Sequence, residues 1–305
     1  MELNENAQID TGQVRDVGRS GGGGGLGGIG GIPIPMGRGG GIGLLILLAV
    51  MVVGGLVGGN ALLGDDNSGG GDLGQECAQG NPDRLQNVKC RNALYINSIQ
   101  SYWQAALPQA LGKTYEEADT VFFSQQTSTG CGTADTGVGP FYCPQDDLVY
   151  IDLSFWDELA SRFGARGQFA QPYVLAHEYG HHVQDVLGTE AQARRAMERD
   201  PGNANRYSVM LELQADCYSG VWTNHATSTT DAGGQPIFKS VTRQDVAEAL
   251  EAAAAVGDDA IQKKMGGGVD ESKFTHGSSA DRQNWFNRGY SSGDPKNCDT
   301  FGNAL

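Results

Sequence analysis

A chain of 305 residues with 39 % apolar side chains can bury the core of one large domain or two small ones. The net charge of −15 argues against a nucleic-acid partner, because an acidic protein repels phosphate backbones. We read this acidity as a soluble surface rather than as a site for basic substrates. The 47 glycines concentrate near the start, which predicts an unusual N-terminal segment ahead of an ordinary globular domain.

The N-terminal part of the chain predicts three segments. Residues 1–40 are polar and then glycine-rich, and they predict a disordered cytoplasmic tail, because this composition buries too little apolar surface to offset its ordering entropy. Residues 41–63 carry no charge and are long enough for a single transmembrane helix. Residues 64–76 are typical of a flexible linker. A cleaved signal peptide is the alternative for 41–63, but the run begins late and follows no short basic region.

The charges around this apolar run predict its orientation. Three arginines precede the run and three aspartates follow it: Arg15, Arg19, Arg38, Asp65, Asp66 and Asp72. The positive-inside rule then places the N-terminus in the cytoplasm. The folded domain, 77–305, would lie in the periplasm or extracellular space, as part of a single-pass cell-membrane protein.

All six cysteines follow the apolar run, as expected for disulfides formed in an oxidising compartment. Six cysteines allow many pairings, and we favour two local bridges, with the third taking the remaining pair. These are Cys77–Cys90, Cys131–Cys143 and Cys217–Cys298. Free buried thiols are the alternative. No C-x-x-C spacing occurs, which argues against a cysteine zinc site or a thioredoxin-like redox site.

The residues after Cys77 predict a mainly helical α+β domain with a small sheet. Asn81 and Pro82 are a helix-start signal, and the apolar residues that follow fit one helical face. Residues 120–123 and 148–153 have strand composition, and the Gly/Thr-rich stretch between them predicts a loop or hairpin. Later patterns predict helices at 154–163, 170–187, 190–199, 204–224, 242–256 and 279–289.

The densest chemical signal is the segment AHEYGHHVQ, which holds three of the five histidines. It contains H-E-x-x-H at His177, Glu178 and His181. Because residues four apart share one helical face, both imidazoles can bind one metal ion, while Glu178 can take a proton from a water on that metal. The pattern predicts a single zinc ion with Glu178 as catalytic base. A surface helix with a chance match is the alternative.

A catalytic zinc site needs a third protein ligand. The continuation H-E-x-x-H-x-x-G-x-x-H is excluded, because Gln184 and Leu187 occupy its last two defined positions. His182 lies about 100° further round the helix than His181, so we expect a packing or supporting role for it.

The third ligand is predicted in E-x-x-A-D, where Glu212 and Asp216 are again four residues apart on an apolar helix. Burying carboxylates there is costly without a partner, and a metal and its histidine are suitable partners. We predict that Glu212 binds zinc and that Asp216 accepts the free N–H of a ligand histidine, His177 being favoured. In the alternative, this pair faces solvent and Glu190 or Glu198 is the ligand.

Two histidines remain, His225 and His276. His276 lies in FTHGSSADRQNW, just before the last predicted helix, and we predict that it donates a hydrogen bond to the oxyanion of the transition state. Arg282 would orient His276 or the substrate. The alternative is an ordinary capping segment in which Ser278 or Ser279 starts the helix.

Three segments in order, AHEYGHHVQ, ELQADCYSGVW and THGSSADR, resemble the bacterial neutral zinc metallopeptidases of the YpfJ type. The resemblance runs from about Asn60 to the C-terminus and includes the Gly-rich start. It implies a zincin-type, gluzincin-like domain with one zinc. The last two segments are also similar to membrane-embedded peptidases of the HtpX type, which by motif makes Glu212 the third ligand and His276 the transition-state histidine. Those enzymes span the membrane several times, so their substrates are not carried over.

Together these features predict a membrane-anchored zinc metallopeptidase that hydrolyses peptide bonds of a peptide or protein substrate by zinc-activated water. A non-catalytic, zinc-stabilised envelope binding or scaffold domain is one alternative. Glu178 argues against it, because a structural site more often has a closed fourth position and needs no base. A hydrolase of another amide, such as a cell-wall peptide bond, is the other alternative. The oligomeric state is left open.

Overall fold

The computed structural model describes residues 1–18, 72–302 and 304. The strands in this part of the chain are short: β1 Glu2–Leu3, β2 Val14–Gly18, β3 Thr120–Phe123, β4 Gln126–Thr129, β5 Gly132–Asp135, β6 Phe141–Cys143, β7 Leu148–Asp152 and β8 Phe238–Ser240. The helices are α1 Leu73–Glu76, α2 Val88–Leu111, α3 Phe155–Glu158, α4 Ala170–Leu187, α5 Thr189–Arg199, α6 Ala204–His225, α7 Arg243–Ala255, α8 Asp258–Lys264 and α9 Ser279–Ser292. A π-helical turn, Leu159–Phe163, continues α3.

The largest sheet has four strands in the order β2-β3-β7-β6. The β2 and β7 strands both run parallel to β3, whereas β6 runs antiparallel to β7. The central strands read TVFF and LVYID and are almost wholly buried, as their β-branched and aromatic residues favour. The β6 strand forms one edge of this sheet and contacts α4. The predicted loop or hairpin before it is a hairpin of β4 and β5.

Residues 1–18 belong to the folded domain, so the prediction of a disordered tail over 1–40 was wrong for them. Strand β1 pairs with β8, and β2 pairs with β3. The buried Arg84 side chain donates to two backbone carbonyls of this segment, and the Asn97 side chain exchanges two hydrogen bonds with the backbone of Asp10. The segment is ordered by backbone pairing with distant residues, which its own composition does not reveal.

The fold-class prediction was also wrong in placing a single transmembrane helix before the domain. Within the residues that the structure describes, no helix is long and apolar enough to cross a membrane. The predicted helix at 41–63 lies outside the described residues. The sheet does not fit the prediction that the N-terminus and the domain lie on opposite sides of a membrane. Strand β2 precedes residues 41–63 and β3 follows them, yet the two strands are neighbours in one sheet. The predicted linker, 64–76, ends in the short helix α1.

The remaining helices follow the sequence patterns closely, with two exceptions. The α2 helix begins at Val88, later than the helix-start signal indicated, because Asn87 caps it by accepting from the N–H of Lys89. Residues 81–87 form turns instead. The α8 helix was not predicted. The α6 helix lies at the centre of the helical part and packs against α4, α5 and α9.

The three disulfides join the favoured pairs, Cys77–Cys90, Cys131–Cys143 and Cys217–Cys298, and none of the cysteines is free. The second bridge ties the β4–β5 hairpin to the edge strand β6. The third ties α6 to the segment after α9.

Candidate metal centre

The α4 helix carries the H-E-x-x-H residues through the domain interior. His177 and Glu178 are each only 6 % exposed, and most of their helical neighbours are buried. The spacing of four places His177 and His181 one turn apart, with ring centroids separated by 4.9 Å. Both rings therefore lie on the face of α4 that meets α6.

Gly180, inside the motif, allows α6 to approach α4 closely. A Cβ atom at this position would lie 2.9 Å from the Cα atom of Ala215. Ala215 is the alanine of E-x-x-A-D, and it lies between Glu212 and Asp216 in the sequence. Because the two helices contact each other through these small residues, both carboxylates reach His177.

Glu212 contacts both motif histidines. Its Oε2 atom lies 3.2 Å from Nε2 of His177, and its Oε1 atom lies 3.5 Å from Nε2 of His181. One donor atom from each residue lies within 4.8 Å of the other two. Two ligand atoms about 2.1 Å from a zinc ion at a tetrahedral angle would lie about 3.4 Å apart, so the two distances from Glu212 to the histidines suit zinc. Two imidazoles and one carboxylate also form a donor set that leaves a fourth position open.

Asp216 lies beside His177, on the side away from Glu212. Its Oδ1 atom lies 2.9 Å from Nδ1 of His177 and accepts a hydrogen bond of 2.6 Å from the hydroxyl of Tyr173. Arg282, from α9, donates through Nε to the other carboxylate oxygen at 2.7 Å. With Nδ1 directed at Asp216, Nε2 of His177 is left to face Glu212 and a metal.

Arg282 was predicted to orient His276 or the substrate, but in the structure it contacts Asp216 and His177 instead. Its guanidinium is buried against Asp216 and lies 3.3 Å from Nδ1 of His177. Arg282 therefore holds the carboxylate of Asp216, which in turn contacts the candidate ligand His177.

Glu178 lies beside the three candidate ligands without being one of them. Its Oε2 atom accepts a hydrogen bond of 3.1 Å from the backbone N–H of Tyr142 in β6. Burial raises the pKa of Glu178, and the charge of Glu212 adds to this effect, although the two motif histidines oppose it. A carboxyl group with a raised pKa beside a metal site suits a general base.

His276 lines a small cavity together with His177, Glu178 and Glu212. The side chain is buried, and its Nδ1 atom lies 3.2 Å from Oδ1 of Asp258. Its Nε2 atom is also buried and has no hydrogen-bond partner within the described part of the chain. The structure thus brings the predicted oxyanion donor to the metal site with one ring nitrogen free.

Asp258 is the functional candidate that the sequence interpretation missed. Its carboxylate accepts three consecutive backbone N–H groups, from residues 275–277, as well as facing His276. It begins the short helix α8, and its only sequence signal is a Gly-Asp-Asp triplet that is typical of any helix start. Ser278 caps α9 by accepting from the N–H of Asp281, so the segment also has the capping role held as the alternative.

Opposite charges share this buried site. Burial alone would lower the pKa of His177, but Asp216 and then Glu212 outweigh it and raise that pKa to about 10. Burial would raise the pKa of Glu212, yet His181 and His177 hold it well below its usual value. Arg282 and His177 likewise hold the pKa of Asp216 low against burial. The protein groups therefore favour the ionised forms of Glu212 and Asp216, and they favour positive charge at the position that a cation would occupy.

The other candidates lie elsewhere. The His182 ring bonds to the hydroxyl of Tyr142 and supports β6 rather than a metal. Glu190 is held in an ion pair within α5, and Glu198 is exposed on the same helix, so neither joins the three ligands. His225, at the end of α6, bonds to a backbone carbonyl in the segment after α9.

Two helices that present two histidines and a glutamate to one point, with a second buried glutamate beside them, define a site of the mononuclear zinc peptidase class. The chain belongs to the family described as "Putative neutral zinc metallopeptidase", which matches residues 4–301. The family resemblance drawn from the three motifs is therefore confirmed.

Relatives of the chain occur in distant bacteria. It is 40 % identical over 273 residues to the uncharacterized protein YpfJ of Escherichia coli, and the matched residues cover 89 % of this chain and 90 % of that protein. It is 44 % identical over 237 residues to the uncharacterized proteins Rv2575 of Mycobacterium tuberculosis and Mb2605 of Mycobacterium bovis, 77 % of each chain. No solved structure matches the chain.

Proposed function

We propose that this protein is a zinc-dependent metallopeptidase in which His177, His181 and Glu212 bind one zinc ion and Glu178 is the catalytic base. The observation that carries the proposal is the convergence of three donor atoms within 4.8 Å of one another, beside a buried carboxylate that is not a ligand. The family to which the chain belongs supports the same chemistry.

Each protein group has a distinct task in this reaction. Zinc would polarise the substrate carbonyl and lower the pKa of a water molecule to about 7. Glu178 would accept a proton from the attacking water and pass it to the leaving amine, while the N–H of Tyr142 holds its carboxylate in place. With both ring nitrogens protonated, His276 would donate from Nε2 to the oxyanion while Nδ1 donates to the carboxylate of Asp258.

A non-catalytic zinc domain is the main competing function. A structural site would need the three ligands but would not need a further buried carboxylate that is not a ligand, which costs free energy unless it has a use. The position of Glu178 therefore favours catalysis. A site of this kind could also hydrolyse a cell-wall peptide bond, so cell-wall peptides are among the substrates to be assayed.

The test is the Glu178→Gln variant, assayed on casein, a peptide library and cell-wall peptides, with bound zinc counted by atomic absorption. We expect one zinc per chain in both proteins and a loss of cleavage of at least about 100-fold in the variant. Glu198→Gln, on the exposed side of α5, is the control and should keep full activity. Undiminished cleavage by Glu178→Gln with zinc bound would exclude the mechanism, whereas zinc without cleavage in the native protein would favour the scaffold function.

We also propose that the catalytic domain lies outside the cytoplasm, which its three disulfides support. Residues 1–18 would lie on the same side, because β2 and β3 are neighbours in one sheet. Val17 and Val269 are 40 % and 44 % exposed, so either can be replaced by cysteine as a surface reporter. In intact cells, a membrane-impermeant maleimide should label both variants. Labelling of only one would contradict the shared side, and labelling of neither would contradict the location.

A further inference from the structure

A second cavity adjoins the metal site, and the proposed mechanism does not use it. It has a volume of about 140 Å³, and Glu178, His181 and Glu212 form part of its lining. The cavity therefore opens directly on the proposed zinc position and on the catalytic base. A group that enters it would be next to the bond being cleaved.

The walls of this cavity come from separate parts of the fold. One wall is the β4–β5 hairpin with β6, and the opposite wall is formed by α5 and the start of α6. The Cys131–Cys143 bridge ties the hairpin to β6, so this wall is fixed covalently. Most of the exposed surface inside the cavity is apolar, and four of these five apolar side chains are partly exposed: Ala134, Val138, Phe141, Met197 and Leu211.

The two charged residues that α5 contributes to the cavity neutralise each other. Glu190 and Arg194 are one turn apart on α5 and form an ion pair, so they present little net charge to a ligand. A lysine or arginine side chain entering here would have to compete with Arg194 for Glu190. An acidic side chain would lie close to Glu178 and Glu212, which are themselves buried carboxylates. Both kinds of charged residue are disfavoured.

We propose that this cavity sets substrate specificity by taking a bulky apolar side chain, aliphatic or aromatic, from a residue that flanks the scissile bond. The inference rests on the proposed peptidase function. The size is suitable, because an apolar cavity of about 150 Å³ in another protein is large enough to bind benzene. Peptides with only small or charged residues beside the cleaved bond would leave the apolar walls hydrated and would be poor substrates.

The first test compares peptides that differ at one residue beside the cleaved bond, carrying leucine, phenylalanine, glycine, lysine or aspartate. We expect kcat/KM to be about 10- to 200-fold higher for leucine and phenylalanine than for glycine. The preferred side of the bond is read from the products, and a preference on either side supports the proposal. Zinc-dependent cleavage with no apolar preference, or with a preference for lysine, would overturn it and leave the proposed function intact.

Met197→Trp, which fills the cavity from α5, is the test variant. It should lower kcat/KM for the leucine and phenylalanine peptides at least about tenfold and change the glycine peptide less than about twofold. Glu198→Trp is the matched control, because the neighbouring residue is exposed and about 100° round the helix. An equal effect of Met197→Trp on all peptides would contradict a specificity role.

A binding measurement provides a readout that does not depend on turnover. In the Glu178→Gln protein, the ¹³C-methyl resonance of Met197, assigned by its loss in a Met197→Leu sample, should shift on addition of tripeptides with a leucine or phenylalanine side chain. Triglycine should leave it unchanged. No shift with any peptide would overturn the proposal. Absence of cleavage of every substrate by zinc-loaded native protein would instead contradict the proposed function, and the pocket's role with it.

Discussion

Replacing Asp216 by asparagine tests the network behind the metal site most directly. The substitution keeps the shape of the side chain but removes its charge and one acceptor oxygen. Asp216 accepts from Tyr173 at 2.6 Å and from Arg282 at 2.7 Å, and it lies 2.9 Å from Nδ1 of His177. Its side chain is wholly buried, and that of Arg282 is 4 % exposed, so solvent does not screen the pair.

Two separate costs follow from this change. The buried guanidinium of Arg282 would lose its close ionic partner and keep only Glu212, whose Oε2 atom lies 3.9 Å away. Breaking a buried pair in this way costs about 3–5 kcal/mol of unfolding free energy. The ring of His177 would lose the acceptor that fixes its orientation, and loss of such a partner typically lowers metal affinity about 10- to 100-fold. Adding Arg282→Met removes the stranded charge, so the double variant should regain part of the stability but none of the zinc affinity.

Urea unfolding with chelator present measures the first cost, and competition with a chromophoric zinc chelator measures the second. Asp245→Asn is a suitable control, because this buried carboxylate caps α7 and does not contact the metal site. It should lower stability and leave zinc affinity within about twofold. If Asp216→Asn binds zinc as tightly as the native protein, Asp216 does not orient the ligand and the reasoning fails.

Three further predictions follow from single contacts. Asp258→Asn should lower kcat about tenfold with KM little changed, because its imidazole partner, His276, acts on the transition state. Asp259→Asn is the control and should leave kcat unchanged, because Asp259 bonds to the start of α9 instead. Equal kcat values for the two variants would contradict a role of Asp258 in positioning His276. Gly180→Ala should lower the free energy of unfolding in urea by about 1–3 kcal/mol, since its Cβ atom would meet the α6 backbone. Gly202→Ala should lower it little, because a Cβ atom there would lie 3.8 Å from its nearest neighbour, Oδ1 of Asp200. Removing the Cys217–Cys298 bridge, which spans 81 residues, should cost about 4 kcal/mol, and an unchanged melting temperature would refute this.

The arrangement of the candidate metal site could be predicted because its geometry is local on each helix. His177 and His181 share a face of α4 through their spacing alone, and Glu212 and Asp216 share a face of α6 in the same way. Only the contact between α4 and α6 is a tertiary feature. The free-energy cost of burying two carboxylates in an apolar helix indicated that they have a cationic or hydrogen-bonding partner. Asp258 had no such signal, because its contact with His276 depends on how two connecting segments fold back together.

The N-terminal residues show where composition misleads. A polar and glycine-rich stretch predicts disorder when it is averaged over 1–40, but 1–18 pair their backbone with β3 and β8. Such pairing stabilises a strand without requiring an apolar side of its own, so periodicity and composition do not reveal it. Arg15 lies in β2 beside β3 and forms an ion pair with Asp119, so its use as a topological charge signal was misplaced.

The charges of the site explain why its parts occur together. Three carboxylates, those of Glu178, Glu212 and Asp216, are buried within one cluster, and Arg282 is the permanently cationic side chain that contacts it. When the histidines are neutral, as metal ligation requires, two negative charges remain to be balanced. A divalent cation balances them, whereas a hydrogen-bonded scaffold of neutral groups would have no need of so many buried acids. The same excess of negative charge raises the pKa values of His177 and His181 against the effect of burial. The cluster is therefore matched to the charge of a zinc ion as well as to its ligand distances.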